Sequence, residues 1–190
     1  MVVLKLAPLI ALSFKMHVWI GLIMFLSLGL ELWLAPLGVA VPATFICGFY
    51  FTLAYGWRRV LPYLAVYSVL LELALGRRFP VMLLSCFLVA FGASIWRRYG
   101  NLKSIFPQLV PGFCVGMVAA LSNLLYIVVF SLLCCERIFP FNPAPLLMQI
   151  AFGALLLPLY CFLLDLFAYR LNFRRYRNAQ IFSEEDSENG

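Results

Sequence analysis

Three carboxylates sit inside long apolar runs of this 190-residue chain: Glu31, Glu72 and Asp165. An ionisable group at the centre of a membrane helix costs about 2.5–3.5 kcal/mol on insertion scales, so each is a functional candidate. An acid dyad needs two carboxylates sharing one site; Glu31 and Glu72 are the pair able to meet, with no other catalytic signal around them. The only histidine, His17, opens an apolar run and has no nucleophilic serine set beside it. Asp165 and Asp186 are the only aspartates, too few for the Mg²⁺-holding sets of lipid-headgroup transferases. No glycine loop suited to cradling phosphate is present either.

The cysteines Cys47, Cys86, Cys114, Cys134, Cys135 and Cys161 show neither CxxC nor Cys/His spacing. A zinc or iron–sulfur site is not expected from them. They read as small buried apolar residues, with the adjacent Cys134–Cys135 near a helix end as the pair open to oxidation. The expected protein is therefore not an enzyme and holds no cofactor or metal.

The elements that position these residues follow from composition. Apolar residues make up 65% of the chain and charged residues 12%, with mean hydropathy +0.99. Soluble domains run near 45–50% and 25%, and a water-soluble globule of this size leaves roughly a third of its surface exposed. Lipid must be the solvent. The expected fold class is all-α, a polytopic membrane bundle of about six transmembrane helices, because these runs are too long and too unalternating for barrel strands. The net charge of +6 is spread in small groups between the apolar runs, as membrane-flanking anchors are, so nucleic acid is not an expected partner and membrane lipid is.

The spans are expected at about 17–35, 39–56, 60–76, 79–96, 105–135 and 146–168, with no cleavable signal before the first. Trp19, Trp33, Trp57 and Trp96 fall near span ends, where indoles prefer the headgroup region. No internal repeat is evident. Residues 1–177 form a single transmembrane domain; the tail 178–190, with Glu184, Glu185, Asp186 and Glu188, is acidic and expected to be disordered. The positive-inside rule puts both termini in the cytoplasm. That orientation keeps Lys5, Lys15, Arg58, Arg59, Arg97, Arg98, Lys103, Arg170, Arg174, Arg175 and Arg177 inside, leaving Arg77, Arg78 and Arg137 outside.

Glu31 and Glu72 then approach the outer face, and Glu72 is close in sequence to Arg77 and Arg78. Either a local ion pair forms across the turn, or Glu31, Glu72, Arg77 and Arg78 make a polar patch where a partner docks. Asp165 lies about one turn before Arg170 and is expected to pair with it. Gly112 and Gly116, with Ala119 and Ala120 beyond, give the fifth span a small-residue face for close helix contact, inside the bundle or against a partner.

The order of elements from Val41-Pro42 to Pro80 resembles the rod-shape-determining protein MreD family of bacterial inner-membrane proteins. The residues that carry the likeness are Pro42, Tyr50, Tyr55, Arg58-Arg59, Ser68-Val69-Leu70-Leu71-Glu72 and Gly76. Gly153-Ala154-Leu155-Leu156-Leu157-Pro158 and the basic stretch Arg170–Arg177 add to it. The resemblance departs from the family pattern at Ser68, Glu72 and Pro80, where glycine, aspartate and glycine are common. It implies a non-enzymatic scaffold subunit of the cell-elongation machinery in the bacterial cytoplasmic membrane. It also implies association with a bitopic MreC-like protein and, through it, with the other elongation-complex subunits. The architecture implied is similar to that of the substrate-binding components of energy-coupling-factor vitamin transporters, and vitamin binding is the alternative function.

Overall fold

A computed structural model describes residues 3–78, 80–100, 106–134, 142–171 and 173. The acidic tail 178–190, the basic residues Arg137, Arg174, Arg175 and Arg177, Lys103 and Cys135 lie outside the described residues. The described chain is all-helical, a bundle of α1 (Val3–Leu34), α2 (Ala43–Tyr55), α3 (Trp57–Ala74), α4 (Val81–Tyr99), α5 (Leu109–Cys134) and α6 (Ala144–Arg170). Short 3₁₀ turns at Ala35–Leu37 and Phe106–Gln108 follow α1 and precede α5.

Four segments are long and apolar enough to cross a membrane: Phe14–Leu37, Val81–Tyr99, Leu109–Leu133 and Ala144–Arg170. The protein is a helical membrane bundle, and the helices at α2 and α3 differ from simple crossings. The span expected at 39–56 contracts to the 13 residues of α2, about 20 Å long at 1.5 Å per residue, against about 30 Å of hydrocarbon. Its shortness is tolerated because every residue of α2 is buried by the surrounding helices. It is the core of the bundle and carries Phe45, Ile46, Tyr50, Phe51 and Leu53, all essentially inaccessible. The 18 residues of α3 include Arg58, Arg59, Glu72 and an internal proline, Pro62.

α5 and α6 form the most extensive helix pair, and glycine is the reason. A Cβ built on Gly112 would stand 2.6 Å from the carbonyl oxygen of Gly153; one on Gly116 would stand 2.6 Å from that of Gln149. One built on Gly153 would meet the Gly116 Cα at 2.6 Å. The two backbones therefore touch, which is the contact that small residues permit in lipid, where dispersion rather than water drives association. Pro158 adds to it: lacking an N–H, it leaves the Ala154 carbonyl without its helical donor, and that oxygen lies beside Gly112. Of the two placements open to the Gly112–Gly116 face, the structure shows the one inside the bundle, packed on α6.

Trp19 is buried, with its ring stacked on Phe173 at 5.6 Å between centroids, which ties the chain after α6 back onto α1. Trp33 and Trp57 are exposed, as indoles at span ends are expected to be.

Candidate functional site

The polar side chains converge at the end of the bundle where α1 turns into α2 and α3 turns into α4, and the two turns are built alike. Each first helix ends in a Schellman arrangement around a left-handed glycine. At Gly38 (φ 73°) the N–H bonds Ala35 O at 3.0 Å and the Val39 N–H reaches Leu34 O at 3.4 Å. At Gly76 (φ 65°) the matching bonds are to Leu73 O at 3.1 Å and, from Arg77, to Glu72 O at 2.9 Å. Four residues after each glycine comes a proline that opens the next helix, Pro42 before α2 and Pro80 before α4.

Those proline N-caps have no side-chain acceptor to offer, so the first N–H groups of α2 and α4 lack the usual cap. An N–H group left unsatisfied in a buried position costs about 1–3 kcal/mol. A carboxylate from the preceding helix fills the gap in both cases. Glu31 Oε2 accepts from the Thr44 N–H at 3.1 Å, and Glu72 Oε1 accepts from the Met82 N–H. Thr44 and Met82 each stand two residues after their proline. A negative group there also meets the positive end of the helix dipole.

The two turns share a local sequence pattern. Leu30-Glu31-Leu32-Trp33-Leu34 matches Leu71-Glu72-Leu73-Ala74-Leu75; the second runs straight into Gly76-x-x-x-Pro80, whereas three residues separate the first from Gly38-x-x-x-Pro42. The 3₁₀ turn Ala35–Leu37 is the insertion that hides the match. The signal was available in the sequence as two Leu-Glu-Leu-x-Leu strings, each upstream of Gly-x-x-x-Pro.

Arg77 does not close an ion pair with Glu72 across the turn, the local pairing expected from sequence. Its Nη2 donates to Asn123 Oδ1 on α5, and its guanidinium carbon lies 4.9 Å from the Tyr126 ring centroid, a cation–π placement. Burial pushes the Arg77 pKa below its ordinary value, while Glu72, Tyr126 and Glu31 act in the opposite sense. Arg77 thus pins the second turn to α5, and the hydroxyl bond from Ser122, the residue before Asn123, to Ser85 joins α5 to α4. Arg78 is exposed. Of the six candidates named from sequence, Glu31, Glu72 and Arg77 are brought together, Arg78 stands at the rim, and Gly112 and Gly116 are elsewhere.

Asp165 ties α6 to the centre of the bundle. Its Oδ1 accepts from Tyr50 Oη at 2.9 Å, a bond between α6 and the central helix. Tyr50 has no accessible surface and Asp165 is buried. Double-mutant cycles place interhelical bonds of this kind in membranes at about 0.6–1.7 kcal/mol. The Tyr50→Phe and Asp165→Leu cycle is expected to give a coupling in that range by thermal unfolding in detergent. Additive single effects refute the joint.

Among the described residues no group of three or more histidine, cysteine or acidic side chains is arranged to hold a metal ion.

No protein-family model, no curated protein and no solved structure matches this chain. The site is therefore read from its own geometry. The carboxylates at the turns face backbone N–H groups, and the guanidinium faces an amide and a ring. These contacts fix the position of two adjacent turns, whose outward residues Trp33, Leu37, Leu73 and Arg78 form the surface at this end.

Proposed function

We propose that this protein is a non-enzymatic scaffold subunit of the bacterial cell-elongation machinery, seated in the cytoplasmic membrane with both termini inside. The observation that carries the scaffold reading is the commitment of Glu31, Glu72 and Arg77 to holding two hairpin turns against α2, α4 and α5. Side chains spent in that way stiffen a surface and leave the turn residues to meet a partner. The placement in the elongation machinery rests on the sequence resemblance from Pro42 to Pro80 and from Gly153 to Pro158. Its partner at the turns is a bitopic MreC-like protein, and the exposed cation Arg78 beside apolar Trp33, Leu37 and Leu73 suits an acidic residue flanked by apolar ones.

Arg78→Glu is expected to lower co-purification of the bitopic partner at least fivefold with the scaffold's own level unchanged. Arg98→Glu, at the opposite end of the bundle, leaves recovery intact. Equal recovery for both variants removes the docking surface from Arg78. Reporter fusions at Asn101 and at the carboxyl end must both read cytoplasmic; a split result ends the proposed topology.

A further inference from the structure

The seam between α1 and α3 carries polar contacts on a surface that is otherwise apolar. The helices run side by side in a constant register. Tyr63 Oη lies 2.6 Å from His17 Nδ1, and one turn further Tyr67 Oη donates to the Gly21 carbonyl at 2.7 Å. The His17 and Tyr63 rings are stacked at 5.9 Å between centroids. His17 is exposed, and its neighbours Phe14, Val18 and Leu22 on α1 and Val66 and Leu70 on α3 are exposed apolar side chains. One turn before Tyr63 on the same face of α3 stands Arg59. It is exposed, and among the described residues it has no hydrogen-bond or ion-pair partner, whereas its neighbour Arg58 lies over the Trp57 ring at 5.7 Å.

A cation and hydrogen-bond donors that open onto lipid rather than into the bundle call for an acceptor that lipid itself supplies. In either tautomer the pair keeps one free donor: Nε2–H on the exposed ring where Tyr63 donates to Nδ1, or the Tyr63 hydroxyl hydrogen where Nδ1 donates to it. The guanidinium of Arg59 offers a planar fork that matches two phosphate oxygens. The apolar flanks match acyl chains, which free phosphate does not have. We propose that Arg59, His17 and Tyr63 on the α1–α3 seam bind the phosphodiester of an anionic phospholipid. The site lies at the Arg97 end of the bundle, away from the hairpin turns, so its test does not depend on the scaffold reading.

The purified full-length protein in detergent is exposed to equimolar phosphatidylglycerol and phosphatidylcholine of identical acyl composition and examined by native mass spectrometry. The wild type is expected to retain one phosphatidylglycerol in preference to phosphatidylcholine. Arg59→Gln is expected to lower the phosphatidylglycerol-bound fraction at least fivefold, and His17→Phe, which keeps a ring but removes its nitrogens, at least twofold. Arg98→Gln on α4, also exposed, leaves it unchanged. Melting in detergent rises with phosphatidylglycerol and does not rise with inorganic phosphate at the same concentration. Equal retention of the two lipids by the wild type overturns the site. So does an equal loss from Arg59→Gln and Arg98→Gln, which signals diffuse surface charge, or stabilisation by inorganic phosphate matching that by lipid.

Discussion

Gly153→Leu is expected to part α5 from α6 and to cost about 3 kcal/mol or more of bundle stability. The added side chain has no escape route: its Cβ already stands 2.6 Å from the Gly116 Cα and 2.8 Å from the Gly112 carbonyl oxygen, both rigid helix backbone. Relief requires the helices to move apart along their whole contact, which also exposes Gly112 and Gly116. The measurement is the apparent melting temperature in detergent together with the monodisperse fraction on size exclusion. Gly92→Leu is the control, because a Cβ on Gly92 meets nothing within 4 Å and the residue is exposed on α4. That variant is expected to be neutral or slightly stabilising, since glycine inside a helix costs about 0.5–1 kcal/mol relative to alanine. If both leucines destabilise alike, the effect belongs to helix chemistry in general and not to the α5–α6 contact.

The second large effect is expected at the turns. Glu72→Leu strands the Met82 N–H in a buried position, and Glu31→Leu does the same to the Thr44 N–H, each at about 1–3 kcal/mol. Both substitutions make their helices more apolar and so more favourable to insert, which gives the prediction an unusual signature: insertion undiminished, folded stability lost. Glu72→Gln keeps a carbonyl oxygen for the N–H and gives up only the charge at the helix terminus, about 0.3–1 kcal/mol at exposed termini. The expected order of melting temperatures is wild type, then Glu72→Gln, then Glu72→Leu. A Glu72→Leu variant as stable as the wild type means that the carboxylate does not cap α4.

The matching construction of the two turns bears on how the bundle is organised. The α1–α2 and α3–α4 turns each have a glycine terminator, a proline opener and a carboxylate that reaches forward to the next helix. α6 also opens behind a proline, Pro143, but there Asn142 Oδ1 accepts the Ala144 N–H at 3.0 Å, a cap supplied locally. The difference has a physical cause. Asn142 is an exposed cap beside its own helix, whereas Thr44 and Met82 are buried residues of α2 and α4, and the acceptor for their N–H groups comes from another element.

The sequence made the solvent legible. A chain with 65% apolar residues, broken at intervals by glycine, proline and arginine groups, has to be a helical membrane bundle, and the helix ends follow from those same breakers. It also singled out the three acids set in apolar runs and the Gly112–Gly116 face, because polar groups and glycines are conspicuous against leucine. Which group answers each of them was decided by tertiary structure alone. Helices such as α5 and α6 are apolar all round, so the periodicity that tells inside from outside in a soluble protein is nearly absent. For that reason the sequence could not show that α2 is wrapped on every side, that α6 fills the glycine face, or that Asp165 answers Tyr50 across 115 residues. Proximity in sequence favoured Arg77 for Glu72 and Arg170 for Asp165. Every buried N–H and hydroxyl competes for the few acceptors within reach, and that competition is resolved only once the helices are assembled.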